Sequence, residues 1–191
     1  MSVATPISIC SNALLLLGAA PISSFDDATA HAKLSANLWP SARDAALRAH
    51  SWNCATKRTV LAPLADPPAF DFRYQFALPS DWLKTLQVGE KGCQIPFRTE
   101  GRRLLANQQS LALVYIYRNE NPATWDALLV ELAEMIMQAK LAYPVTKSTT
   151  LRDSLNQQVE FMRIAARASD GQDDPPEELE GSSLIDARFR G

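Results

Sequence analysis

Apolar residues recur at helical spacing near the start of the chain. Ile7, Cys10, Ala13, Leu14 and Leu17 follow one face of a predicted first helix. Thr5-Pro6 opens that helix, because threonine can cap a helix and proline suits its first position. Gly18 is a natural stop.

A second helix is predicted from about Ala28 to His50, with Asp26 or Asp27 as its cap. Pro40 lies inside it and removes one backbone donor, so we expect a kink or a division near Leu38-Trp39.

The passage from Leu38 to Arg58 is the most informative part of the sequence. Read as a helix, it places its apolar residues on one stripe, and Trp52 stands where helical spacing gives way to extended chain. A large aromatic residue in that position indicates a helix whose end is held in place by packing of that side chain. The predicted helix-end packing anchors are Trp39, Arg43, Trp52 and Arg58.

Short β-prone runs separated by turn-forming residues replace the helical period between Ala55 and Asn119. Glu100-Gly101 predicts a hairpin, and the stretch from Leu111 to Tyr117 is apolar on both faces, as in a central strand covered on each side. We expect one small antiparallel sheet. Its predicted runs are Thr59–Leu61, Phe72–Leu78, Leu83–Val88, Gln94–Arg98, Arg102–Ala106 and Leu111–Arg118.

Helical spacing returns after Asn121-Pro122, which is predicted to cap a third helix that ends at Pro144. Ser148 or Thr149 caps a fourth helix, which fades at Ser169-Asp170-Gly171, and the short link between the two favours an antiparallel pair.

The predicted fold class is therefore α+β and predominantly helical. Residues 1–55 and 120–170 form a four-helix bundle, residues 56–119 an inserted small antiparallel β domain, and residues 171–191 an extended C-terminal tail.

Composition fits one compact unit of 191 residues with 47% hydrophobic and 21% charged residues. No apolar run approaches the roughly 18 residues that span a bilayer. We therefore expect no contact with a membrane. The start of the chain has no basic residue before Lys33, so it lacks the charged start of a secretory signal.

The net charge of -2 is unevenly distributed. Residues 170–191 hold seven acidic side chains and two arginines, so the remainder of the chain is faintly basic. Tight nucleic-acid binding needs a concentrated basic face, which this distribution does not provide.

The acidic, proline-containing stretch 172–183 cannot bury enough apolar surface to fold alone, yet an apolar and basic segment follows it. A frayed terminus is one interpretation. The other, which we favour, is a linker carrying a docking segment. The docking residues in that case are Leu184, Ile185, Asp186, Arg188, Phe189 and Arg190.

Residues that might carry chemistry have structural explanations. His31 and His50 stand about 28 Å apart on a helix and cannot share a metal. Three widely spaced cysteines predict neither a disulfide framework nor a zinc site, and we expect them to pack as small apolar side chains in a reducing compartment. Phosphate loops and nucleophile elbows are missing from the sequence. We therefore predict no catalytic, cofactor or metal site, and expect the four tryptophans to be core or interface anchors.

The order of several segments resembles the head-to-tail adaptor proteins of short-tailed bacteriophages, the tail tubular protein A family and its connector relatives. The resemblance covers nearly the whole chain, although family members often carry Phe where this chain has Cys54. The matching pieces are Asn12–Gly18, Pro21–Asp27, Arg43–Arg58, Phe76–Trp82, Leu132–Thr146 and Leu184–Arg188.

The resemblance implies a structural virion protein of the phage neck, assembled in the host cytoplasm. Such adaptors form a ring, typically of twelve copies, between the portal protein and the tail nozzle protein. They continue the channel through which genomic DNA passes without sequence-specific binding. The residues leave another class open: a soluble helical protein-binding module, such as a regulator or chaperone, whose acidic tail competes for basic partners.

Overall fold

The computed structural model describes residues 3–90, 93 and 95–169, and within them the fold is α+β. Its helices are α1 (Pro6–Leu16), α2 (Ala30–Ala49), α3 (Ala127–Thr146) and α4 (Thr149–Ser169). Its strands are β1 (Thr56–Leu61), β2 (Tyr74–Ala77), β3 (Trp82–Val88), β4 (Arg98–Glu100), β5 (Arg103–Ala106) and β6 (Leu111–Tyr117). The predicted tail, residues 171–191, lies outside the described residues.

Helix α1 begins and ends as predicted. Thr5 forms a reciprocal capping box with Ser8, in which each side-chain oxygen accepts from the other residue's backbone N–H at 3.0 and 2.9 Å. Gly18, with a φ of +75°, lies just beyond the last turn, where a left-handed residue lets the chain leave the helix.

Helix α2 has a different cap from the two that the sequence suggested. The Thr29 side chain accepts from the Ala32 N–H at 3.1 Å, so the prediction of Asp26 or Asp27 is wrong. Asp27 instead accepts from the backbone N–H groups of Ser23 and Ser24 and closes the preceding loop. Pro40 does not divide the helix, because a continuous buried stripe holds both halves against the core.

Pro144 lies within α3 and does not end it, contrary to prediction. The helix continues to Thr146 and stops where Lys147 adopts a left-handed φ of 60°. Asn121 caps a one-turn 3-10 helix (Pro122–Thr124), while Asp126 caps α3 itself. Ser148, one of the two predicted caps, accepts from the Leu151 N–H at 3.2 Å at the start of α4.

Helix α3 lies at the centre of the helical layer, and α1, α2 and α4 each pack against it. Its buried residues include Leu129, Leu132, Met137 and Leu141, as expected of a helix that is covered on several sides. The same core takes in Leu83 and Ile116, so the strands also contribute to it.

The described strands pair into two antiparallel sheets of order β1–β6–β3 and β2–β5–β4, so the prediction of one sheet is wrong. A second apolar core joins the two sheets through residues such as Phe76, Leu104 and Leu113. The hairpin at Glu100-Gly101 is confirmed, with Gly101 at a φ of +57°. Its first strand is Arg98–Glu100 and not the predicted Gln94–Arg98.

Strand β6 is central, as predicted, and its two faces serve different cores. Leu111, Leu113 and Tyr115 face the second sheet, whereas Ile116 packs among the helices. Val114 lies on the same face of β6 as Ile116 and is only half-buried, so the helices cover that face incompletely.

Candidate interaction surfaces

Trp39, the first predicted anchor, joins α2 to the chain that precedes α3. Its ring stacks on that of Trp125 at a centroid distance of 6.1 Å and an interplanar angle of 22°. Both rings are buried, and the Trp125 indole donates to the Asn119 carbonyl at 3.2 Å. The pair fixes the start of the second helical segment against the first.

Trp52, the second anchor, lies at the exit of α2. Its indole N–H donates to the Ala46 carbonyl at 3.0 Å, and the His50 ring meets it edge-on at 5.0 Å. This buried ring holds the turn between α2 and β1.

Arg43 belongs to a charged network that ties α2 to the chain following β6. It contacts Asp44 at 2.9 Å and Glu120 at 2.8 Å. Asp44 also receives the Arg118 guanidinium through both Nε and Nη2. The hydrogen bonds and charge of Asp44 raise the pKa of Arg118, so this guanidinium stays charged.

Arg58, the fourth predicted anchor, lies elsewhere. It is exposed on β1, opposite Val114, where it borders an open part of the sheet surface with Val60 and Gln87. The structure thus places Trp39 and Arg43 inside the unbroken helix α2 and not at its end, Trp52 at its exit, and Arg58 on the sheet.

A second polar cluster, which the sequence did not single out, holds the first sheet together. Asp81 accepts from Lys57 at 2.6 Å and from the Tyr115 hydroxyl at 3.1 Å, and Lys57 also lies 3.9 Å from the centre of the Tyr117 ring. Burial tends to raise the pKa of Asp81, but these hydrogen bonds outweigh it and leave the pKa lowered.

Tyr115 in the same cluster is held in its neutral form. Burial, together with the hydrogen bond to Asp81 and its charge, raises the pKa of Tyr115 to about 12. A phenol in this state donates a hydrogen bond and is poorly suited to act as a base near neutral pH. The cluster therefore links β1, β6 and the turn before β3 and has a structural role.

Helices α1 and α4 each carry two large apolar side chains that are more than half exposed. On α1, Leu15 and Leu16 are 55% and 66% exposed, in the last turn of the helix. We call Leu15 and Leu16 the α1 face.

The second face is on α4, where Phe161 and Ile164 are 72% and 62% exposed beside a shallow depression bordered by Glu160. We call Phe161 and Ile164 the α4 face. We therefore treat the α1 face and the α4 face as candidate interaction surfaces. The sequence signal was present, because these residues fall three apart and outside the α4 stripe that contains Leu155 and Val159.

Metal-binding residues do not cluster in the described part of the chain: no group of three or more His, Cys, Asp or Glu side chains there is placed to hold an ion. Cys10 is buried, which raises its pKa to about 12, whereas Cys93 is exposed and so does not pack as expected. Within residues 3–90, 93 and 95–169, no helix has the length and apolar character needed to cross a bilayer. The predicted docking residues 184–190 lie outside the described residues.

The chain matches no family model and no curated protein.

Proposed function

We propose that this protein is a head-to-tail adaptor of a short-tailed bacteriophage. It assembles as a ring between the portal and the tail nozzle and continues the DNA channel. The ordered resemblance of its segments supports the family, and one structural observation supports the assembly: two different apolar faces, on α1 and α4, stand exposed on one helical layer.

A ring needs this kind of pairing. In a heterologous interface each copy presents one surface to the neighbour on one side and a different surface to the neighbour on the other. The α1 face of one copy and the α4 face of the next offer such a pair, with two large apolar side chains each. Repetition around a closed ring then multiplies contacts that are weak individually.

The remaining parts take their roles from this arrangement. The four helices of residues 1–55 and 120–170 form the bundle that packs side by side in the ring. Residues 56–119 form the β domain, and residues 171–191 form an arm that docks on the portal. The Arg43–Asp44–Arg118 network supports this role, because it holds helices and sheet in one geometry.

Mixing two variants tests the head-to-tail pairing. Leu15→Ser/Leu16→Ser removes the α1 face, and Phe161→Ser/Ile164→Ser removes the α4 face. Neither variant should close a ring in the presence of portal rings, as observed by native mass spectrometry and electron microscopy. Together they should form dimers only, since one intact face of each remains available. Phe70→Ser, at a side chain that is 76% exposed, is the matched control and should assemble normally.

Closed rings from either double variant would refute the pairing of these faces. A wild-type protein that stays monomeric with portal rings present would favour the soluble binding module instead. Deleting residues 184–191 should weaken portal attachment while far-ultraviolet circular dichroism shows unchanged helix content. Wild-type attachment by that truncated chain would remove the arm from the proposal.

A further inference from the structure

Helix α4 carries two apolar stripes on opposite sides. Leu155, Val159 and Ala166 are buried against the rest of the chain. Phe161 and Ile164 fall on the far side of the helix, since successive residues turn by about 100°. One stripe of α4 packs against the rest of the chain, whereas two large side chains of the other stripe remain in water. A partner that covers this second stripe would stabilise the protein.

We propose that this partner is a segment of the same chain: residues 184–190, here called the tail segment, cover the α4 face in the free protein. The tail segment supplies three large apolar side chains, Leu184, Ile185 and Phe189. These match the chemistry of the surface around Phe161 and Ile164.

Acidic side chains also lie near the α4 face, although α4 as a whole carries three arginines and two acidic residues. The tail segment carries Arg188 and Arg190. On α4, the carboxylates of Asp153 and Glu160 are 61% and 64% exposed, so they remain accessible although each contacts an arginine of its own helix. The stretch from Asp153 to Ile164 is about 16 Å long on a helix. An extended seven-residue segment spans about 23 Å, which is enough to place apolar and basic residues along it together.

The linker is long enough for this contact. Fourteen residues, 170–183, separate the end of α4 from the tail segment, and an extended chain of that length reaches at most about 50 Å. The return distance from Ser169 to Phe161 is about 12 Å along the helix. The linker is therefore long enough to permit the contact without strain.

The small size of the α4 face favours a tethered occupant over a second free copy. A stable interface between separate proteins buries about 800 Å² on each side, far more than two side chains supply. A short tether gives the tail segment an effective concentration on the order of millimolar, at which a weak contact is populated. The neighbouring copy in a ring would then have to displace the segment, a consequence that rests on the proposed function.

Photo-cross-linking of the full chain tests the contact. Phe161→p-benzoylphenylalanine places a reactive ketone on the α4 face, and the same replacement at Phe70 is the control, since both side chains are more than 70% exposed. At dilute protein, mass spectrometry should map cross-links from position 161 to residues 184–190 of the same chain. Their yield should not change over a tenfold dilution. Position 70 should give none there.

Cross-links between two chains would overturn the proposal and assign the α4 face to a second copy in the free protein. Cross-links elsewhere, or none, would also overturn it. A second measurement uses trypsin cleavage after Arg188. Phe161→Ser/Ile164→Ser should speed it several-fold, whereas Phe70→Ser should leave it unchanged. Equal cleavage rates in all three chains would refute the contact. Both experiments use the free protein, so their failure is separate from failure of ring assembly.

Discussion

Replacing Trp39 by alanine should be one of the most damaging single changes in the helical layer. The side chain is 6% exposed and stacks on Trp125 at 6.1 Å. Truncating a buried tryptophan to alanine costs about 3–5 kcal/mol, because the lost burial adds to the cavity that remains. Aromatic stacking accounts for about 0.5–1.5 kcal/mol beyond area. We therefore expect a loss of about 4 kcal/mol, a large part of the 5–15 kcal/mol typical of a domain.

Urea unfolding followed by far-ultraviolet circular dichroism measures this loss directly. With a slope of about 2 kcal/mol per molar urea, the midpoint should fall by about 2 M. Phe70→Ala is the control: its side chain is 76% exposed, and such surface changes stay within about 0.5 kcal/mol. A loss below about 1.5 kcal/mol for Trp39→Ala, with an unchanged slope, would refute the assignment of this stack as a principal anchor.

Three further changes test other contacts. Asp44→Ala should lower the free energy of unfolding by about 1–2 kcal/mol in urea titrations, because two half-buried guanidinium groups lose the carboxylate that they share. Asp153→Ala, which removes an exposed pair, should change it by less than about 0.5 kcal/mol. The stability of the wild-type protein should fall as the pH rises from 10 to 12. The reason is that the unfolded chain releases the Tyr115 proton near pH 10, whereas the folded chain keeps it to about pH 12. In thermal melts, the melting temperature of Tyr115→Phe should depend less on pH over this range. Gly89→Ala should lower the melting temperature more than Gly101→Ala, because a Cβ at Gly89 would lie 2.7 Å from Ile95 Cδ1 whereas one at Gly101 would meet open space.

Opposite results would contradict specific statements about the structure. Equal losses for the two aspartate variants would mean that the Asp44 network contributes no more than a surface pair. Parallel pH profiles for wild type and Tyr115→Phe would mean that the hydroxyl does not carry the raised pKa. Equal melting temperatures for the two glycine variants would mean that the Ile95 side chain moves aside without a loss of stability.

The helices were largely predictable because their signals are local. Thr5-Pro6 and the apolar spacing near it define α1 without reference to any distant residue. The errors arose where packing outweighs a local preference. Pro40 and Pro144 are tolerated inside helices because flanking residues are buried on a shared stripe, which offsets the lost backbone bond.

The sheets were less predictable, since strand pairing joins residues far apart in sequence. Tyr74 pairs with Ala106 and Thr56 with Ile116, and no local pattern distinguishes one such sheet from two. Among the anchors, Trp39 lies in the middle of α2 and Trp52 just beyond its end, and both are buried, as tryptophan is on average. The partner of Arg43 on the far side of the β segment, Glu120, could not be identified from the sequence.

Strand β6 has a consequence for how the molecule comes apart. Neighbouring residues Tyr115 and Ile116 belong to different cores, so sliding this strand by one position would spoil both at once. Neither layer can melt while the other keeps its register, and heating should give a single sharp transition and no half-folded species. Load applied to the strands would reach the helices directly through this shared strand.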